Sequence, residues 1–221
     1  MNQEKAKVLQ SALPYIREFY GKTFVIKYGG SAMTEEELRE SFVKDLLLLR
    51  YVGIKVVVVH GGGPQISKVL EKFGISSHFV GGIRKTDEES MHVVEMVLSG
   101  DINKDIVALI NTHTGDEFLA VGISGRDGNL IRAKKLNKEE YFRDLGLEVP
   151  EEDIGFVGEV EDINTHLLNT LLENGYIPVI APVGVGKHGE AYNINADLVA
   201  CEVARHLQAE KLIFLTDTEG I

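Results

Sequence analysis

TFVIKYGGSAM, residues 23–33, sets one lysine, Lys27, at the end of an apolar run and follows it, across Tyr28, with Gly29 and Gly30. A short β-branched and aromatic run that ends in lysine and then glycine predicts a buried strand opening into a tight turn. Glycine has no Cβ, so the turn brings backbone N–H groups close to an anion. IKVVVVHGGGP, residues 54–64, repeats the design and ends in Gly61, Gly62, Gly63 and Pro64. Pro64 falls in the first turn of the next helix, where its missing N–H costs little. Two parallel strands ending in Gly-rich turns, joined by a helix into a right-handed βαβ unit, point to one anion-binding crevice.

The helix between the two strands is predicted from Thr34, which stands at capping-box spacing from Glu37, and it carries Leu38, Phe42, Leu46 and Leu49 on one side. Upstream, Val8, Leu9, Ala12, Leu13, Ile16 and Phe19 recur at helical spacing from Glu4 onward, with Pro14 as a kink. This stripe fits a helix lying on its own sheet, or an arm that reaches a neighbouring subunit.

Downstream, GGIRK (81–85) reads as a polar loop, and Thr86 with Glu89 as a second capping box whose helix runs to Leu98 and is closed by Gly100. A helix from Ile102 to Ile110 then leads to a strand at Leu119 to Ser124. GRDGN (125–129), with Asp-Gly at its centre, predicts a β-hairpin. The charged stretch from Lys134 to Asp153 is weakly patterned and reads as a surface excursion. A strand near 156–160, a helix over 165–173, a strand over 177–181, a helix capped by Asn195 and a strand from Lys211 complete the pattern. The fold class is α/β: a three-layer αβα sandwich with a mainly parallel open sheet plus a β-hairpin.

The totals set limits. The 221 residues fit one large α/β domain, and 44% hydrophobic with 26% charged residues is ordinary for a globular chain. A formal charge of −11, from 34 acidic and 23 basic residues, argues against nucleic acid or an anionic membrane as a partner. No apolar run reaches the length of a membrane helix, and the start MNQEKAKVLQ has no signal-peptide core. A lone cysteine, Cys201, excludes an intrachain disulfide and a Cys-based zinc site. It suits a reducing cytoplasm and, in its helical setting, reads as a small buried apolar residue.

Several chemistries are excluded. The GKT at residues 21–23 is no Walker A loop, since Ile16 occupies the place of its first glycine. Residues 61–63 lack the G-x-G-x-x-G spacing of a dinucleotide site. The histidines are scattered without ligand spacing, so no intrinsic metal site is expected. What remains is a phosphate-handling arrangement of Lys27, Gly-rich turns and helix N-termini. Phosphoryl transfer needs positioning and positive charge more than covalent help. An acceptor carboxylate is already a nucleophile and needs no general base.

VIKYGGSAM, HGGGPQI, GGIRKTD, AVGISGRDGNLIRAKK, GFVGEVEDIN and YNINADLVA together resemble, in order, the signature stretches of N-acetylglutamate kinases of the amino acid kinase family. The resemblance runs from about residue 6 to residue 221. It implies phosphorylation of the side-chain carboxylate of N-acetyl-L-glutamate by ATP with Mg2+, the second step of arginine biosynthesis, with no tightly bound cofactor. By the same resemblance Lys27 stabilises the transferred phosphoryl group and Asp197 orients it, while Gly29 and Gly30 donate backbone N–H groups beside it. Gly62, Gly63, Arg84 and Asn193 hold the substrate, Arg84 as a bidentate carboxylate clamp, and Asp217 and Gly220 open the nucleotide site.

Relatives continue past the TDTEGI turn, so the expected division is an N-terminal oligomerisation arm (1–21), an acetylglutamate-binding domain (22–207) and the start of a truncated nucleotide-binding domain (208–221). A second catalytic lysine is expected beyond residue 221, and the chain is expected not to turn over by itself. The N-terminal helix resembles that of arginine-inhibited members, which implies a cytoplasmic hexamer, a trimer of dimers, under L-arginine feedback. The rival readings are a non-catalytic effector-binding module of the same fold and a relative acting on another acid.

Overall fold

The computed structural model describes residues 3–115 and 117–216. Helix α1 (Gln3–Phe19) precedes strand β1 (Thr23–Tyr28), helix α2 (Glu36–Tyr51), strand β2 (Lys55–His60) and helix α3 (Gly63–Lys72). The short strands β3 (Phe79–Val80) and β4 (Ile83–Arg84) follow, then α4 (Glu88–Glu95), a π-helical stretch (Met96–Ile102) and α5 (Asn103–Thr112). Next come β5 (Ala120–Ser124), β6 (Ile131–Lys135), α6 (Lys138–Asp144), β7 (Gly158–Ile163), α7 (Thr165–Glu173) and β8 (Ile177–Ala181). Strands β9 (Val183–Val185) and β10 (Ala191–Asn193), helix α8 (Ala196–His206) and β11 (Lys211–Phe214) close the described chain.

The central sheet has the order β11-β1-β2-β8-β5 and is parallel throughout. Both faces are covered, which is why its strands read as continuous apolar runs. Phe24, Ile26, Val56 and Val58 enter one core with α2 to α5, while Val25, Val57 and Val59 enter another with α7, α8 and a second sheet, β10-β9-β6-β7. These two cores with the sheet between them are the three layers. Lys27 shares the face of Val25, because side chains alternate along a strand. It therefore emerges at the carboxyl end of β1 on the side that α8 covers.

The expected β-hairpin exists, but Gly125–Asn129 does not turn it. That stretch carries the chain from the parallel sheet (β5) to the second sheet (β6), and the antiparallel pairs are β3–β4, β6–β7 and β9–β10. The loop 81–85 is itself part of a hairpin, with Gly81 (φ 53°) and Gly82 (φ 82°) both left-handed at its tip, a backbone that favours glycine. Neither capping box forms. Thr34 bonds back to the Ser31 carbonyl, and α4 is capped by Asp87, whose carboxylate accepts from the Ser90 N–H at 2.8 Å. Gly100 ends nothing, since the π-helical stretch carries the chain through it into α5.

The charged segment after β6 is not all surface. Phe142 of α6 is buried, and Leu136, Ile154 and Val157 form a small core of their own with Ile83 and Tyr141. Cys201 lies on the exposed side of α8, and partial burial, with Asp197 and Glu202 adding to it, pushes its thiol pKa up. A raised pKa keeps it a weak nucleophile.

Helix α1 does not lie on its own sheet. Val8, Leu9 and Leu13 are 64%, 64% and 52% exposed, and Phe19 makes the docking contact, edge-on to Phe24 at 5.3 Å. Burying such side chains is worth about 1.5–3 kcal/mol each, so α1 leaves a stabilising contribution unrealised within one chain.

Candidate active site

The carboxyl ends of β1, β2 and β8 open into a cavity of about 320 Å³. Open parallel sheets bind ligands in this place, where loops diverge to the two faces. Lys27, Gly29, Gly30, Gly62, Gly63, Arg84, Asn193 and Asp197 all line it, although they come from four separate parts of the chain. Asp217 and Gly220 lie outside the described residues.

Lys27 Nζ sits 3.1 Å from Asp197 Oδ1; the lysine side chain is 17% exposed and the carboxylate 52%. Asp197 is presented by the first turn of α8, whose cap Asn195 accepts from the backbone N–H groups of Asp197 (2.8 Å) and Leu198 (3.4 Å). A Cβ on Gly29 would stand 2.6 Å from Lys27 Nζ, so the missing side chain lets the amine lie over the turn. On Gly62 a Cβ would clash with Ile102 and come within 2.8 Å of Leu98 Cδ2. The π-helical stretch that carries both residues thus packs flush against the Gly61–Gly63 turn.

Arg84 is 5% exposed, and its guanidinium is held wholly by neutral groups. Nη2 donates to the Gly63 carbonyl (2.8 Å) and Ser67 Oγ (2.9 Å), Nη1 to Ser77 Oγ, and the cation lies 4.5 Å over the Phe79 ring. Burial pushes its pKa down. No carboxylate among the described residues pairs with it, so an anion entering the cavity meets an uncompensated charge. Asn193 reaches the same cavity from β10 and donates from Nδ2 to Thr86 Oγ1 at 3.1 Å.

Beneath the turn is a buried polar network that the sequence did not announce. His60 and Asn103 are both fully buried. The neutral imidazole donates from Nδ1 to the Gly61 carbonyl (2.9 Å) and accepts at Nε2 from Asn103 Nδ2 (3.2 Å). Asn103 also donates to the Val179 carbonyl (2.9 Å) and accepts from Lys104 Nζ (2.9 Å), which ties β2, β8 and α5 together under the site. A histidine closing a run of four valines was the available signal. Thr86, Ser67 and Ser77 carried none, since nothing local marks a hydroxyl that will meet an arginine.

Burial, with a smaller contribution from Lys104, lowers the His60 pKa from 6.5 to about 4. The unfolded chain therefore binds a proton that the folded chain resists between those values. Stability from the neutral ring is complete above pH 6.5 and is lost as the pH falls toward 4. Urea unfolding at pH 7 and pH 4.5 should show His60→Gln losing on the order of 2 kcal/mol less than the parent over that interval. Equal losses in both proteins would contradict this.

A family model described as the amino acid kinase family matches residues 22–221. The chain is 73% identical over 218 residues to the acetylglutamate kinase of Aquifex aeolicus (strain VF5), covering 99% of this chain and 73% of that protein. It is 58% identical over 220 residues to the acetylglutamate kinase of Sulfurihydrogenibium sp. (strain YO3AOP1), covering 99% and 74%. Among solved structures, an N-acetylglutamate synthase from Neisseria gonorrhoeae, complexed with coenzyme A and N-acetyl-glutamate, superposes with a TM-score of 0.78 at 27% identity. That match spans 96% of this chain and 46% of the synthase.

Proposed function

Because the chain belongs to the amino acid kinase family, as one of its acetylglutamate kinases, we propose that the cavity at the ends of β1 and β2 is where the γ-phosphoryl group of ATP passes to N-acetyl-L-glutamate. The observation that carries this reading is the pair of cations lining one cavity, Lys27 held by Asp197 and Arg84 buried with no counter-anion among the described residues. Arg84 and Asn193 hold the amino-acid end of the substrate beside Gly62 and Gly63. Its side-chain carboxylate then points toward Lys27, Gly29 and Gly30.

One carboxylate oxygen attacks the γ-phosphorus as the bond from that phosphorus to the β–γ bridging oxygen breaks. The products are the acyl phosphate and ADP, and no proton needs to be removed. Negative charge gathers on the phosphoryl oxygens and the leaving ADP, where a fixed ammonium contributes most. Asp197 keeps the Lys27 amine aimed into the cavity, and the Gly29–Gly30 turn admits the phosphate to the backbone. The nucleotide enters as its Mg2+ complex, a substrate rather than a resident cofactor, with Asp217 and Gly220 on its side. Residues 22–207 form the acetylglutamate-binding part, whose cavity lining falls entirely within them, and residues 208–221 begin the nucleotide-binding part.

Hydroxylamine trapping tests the reaction, since it converts an acyl phosphate to a coloured hydroxamate. Hydroxamate formed by the protein that carries these residues should require acetylglutamate, ATP and Mg2+ together. ATP turnover without hydroxamate would reject the carboxylate as acceptor.

The exposed apolar stripe of α1 supports its reading as an arm (residues 1–21) that packs on another copy; the cytoplasmic hexamer and its inhibition by L-arginine rest on the resemblance of that helix to the arginine-inhibited members. No helix among the described residues is long and apolar enough to cross a membrane. Removing residues 1–21 should lower the mass in solution and blunt the response to arginine. A protein that keeps both its mass and its arginine response after the deletion would sink the arm.

A further inference from the structure

We propose that Thr86 is a positioning residue that sets the Asn193 side chain against the Arg84 loop, so that two distant parts of the chain meet acetylglutamate as one unit. This rests on the reading of Arg84 and Asn193 as the substrate-holding pair. The Thr86 hydroxyl is fully buried; it accepts from Asn193 Nδ2 at 3.1 Å and donates to the Arg84 carbonyl at 2.8 Å. Both polar capacities of the hydroxyl that the two residues need are thus used, one on each.

The backbone around Thr86 is fixed without that hydroxyl. Its N–H donates to the Ile154 carbonyl (3.0 Å), its carbonyl accepts from the Phe156 N–H (2.6 Å), and the Phe156 carbonyl in turn accepts from the Asn193 N–H (2.9 Å). Gly155, at φ +74°, lies so close that a Cβ there would clash with the Thr86 carbonyl. Main-chain bonds therefore join residues 86, 156 and 193 already, and the hydroxyl is left to decide where the Asn193 amide points. Holding a binding group in one rotamer before the ligand arrives removes an ordering cost at binding. Valine is close to threonine in shape but cannot hydrogen-bond, so Thr86→Val frees the amide without changing the backbone path.

Calorimetry with N-acetyl-L-glutamate on the parent, Thr86→Val, Thr86→Ser, Asn193→Ala and the Thr86→Val/Asn193→Ala double variant separates the possibilities. Thr86→Val should weaken binding about tenfold, the loss expected for one positioned hydrogen bond, and Thr86→Ser should recover it to within about threefold. In the Asn193→Ala background Thr86→Val should add less than about twofold, because the group it positions is gone. A purely structural role predicts that the serine variant fails to rescue or that the losses multiply in the double variant, and either result overturns the proposal. If the parent itself does not bind acetylglutamate, the substrate reading fails instead.

Discussion

Replacing Lys27 with methionine should slow acyl-phosphate formation by about 10²–10³-fold while acetylglutamate affinity stays within about threefold of the parent. Methionine keeps an unbranched apolar stem of similar length, so the mostly covered side chain still fills its place at the end of β1. What disappears is the ammonium 3.1 Å from Asp197, at the mouth of the Gly29–Gly30 turn. The substrate carboxyl that Arg84 clamps does not depend on that charge. The loss should therefore fall on the transfer step rather than on binding. Asp197→Asn in the Lys27→Met background should add little, because the carboxylate acts through the amine it orients. A drop smaller than about tenfold, or one matched by an equal loss of acetylglutamate affinity, would place Lys27 outside the transfer step.

Arg84→Met should have the opposite signature, with acetylglutamate affinity falling about 10²–10³-fold and the fold unaffected. A desolvated charge-assisted pair typically costs 2–5 kcal/mol when one partner is removed. In the absence of substrate, however, the guanidinium is buried against neutral partners, and burial already lowers its pKa. Removing a buried cation that pairs with no carboxylate among the described residues relieves its desolvation cost, which offsets the hydrogen bonds lost at Ser67, Ser77 and the Gly63 carbonyl. Urea unfolding of unliganded Arg84→Met should therefore change by less than about 1 kcal/mol, or rise, while binding collapses. The Ser67 hydroxyl still donates to the Gly63 carbonyl at 3.1 Å when the arginine is gone, so the turn keeps one of its supports. Affinity retained within about threefold would reject the clamp. Binding that fell only in step with stability would recast Arg84 as a structural residue.

Most of the strand and helix pattern was legible. Strand β8 and helix α7 fall where the sequence pattern predicted them, and Asn195 caps α8 as expected. These signals are local: a strand buried on both faces must be apolar along its whole length, and a helix N-terminus needs an acceptor for its free N–H groups. Errors came where one local signal had two outcomes. Thr86 stood at capping-box spacing, yet Asp87 took the cap and Thr86 turned inward. Asp-Gly at residues 127–128 permits a tight turn, but whether the flanking strands pair with each other depends on which sheet each one joins. The α1 stripe is amphipathic, which says that a face wants burial and not what buries it.

The sequence by itself determined the parallel α/β core, the placing of Lys27 and the Gly-rich turns at strand ends, and the family, because these follow from apolar period, backbone permissiveness and ordered motifs. Only the tertiary structure decided that Arg84, from a hairpin read as a loop, and Asn193, far along the chain, line the cavity of Lys27. It alone set His60 against Asn103 and Thr86 between Asn193 and Arg84. The physical reason is that a buried polar group must find its partner in space. Which partner lies within about 3 Å is fixed by how the layers pack, and no spacing along the chain encodes that.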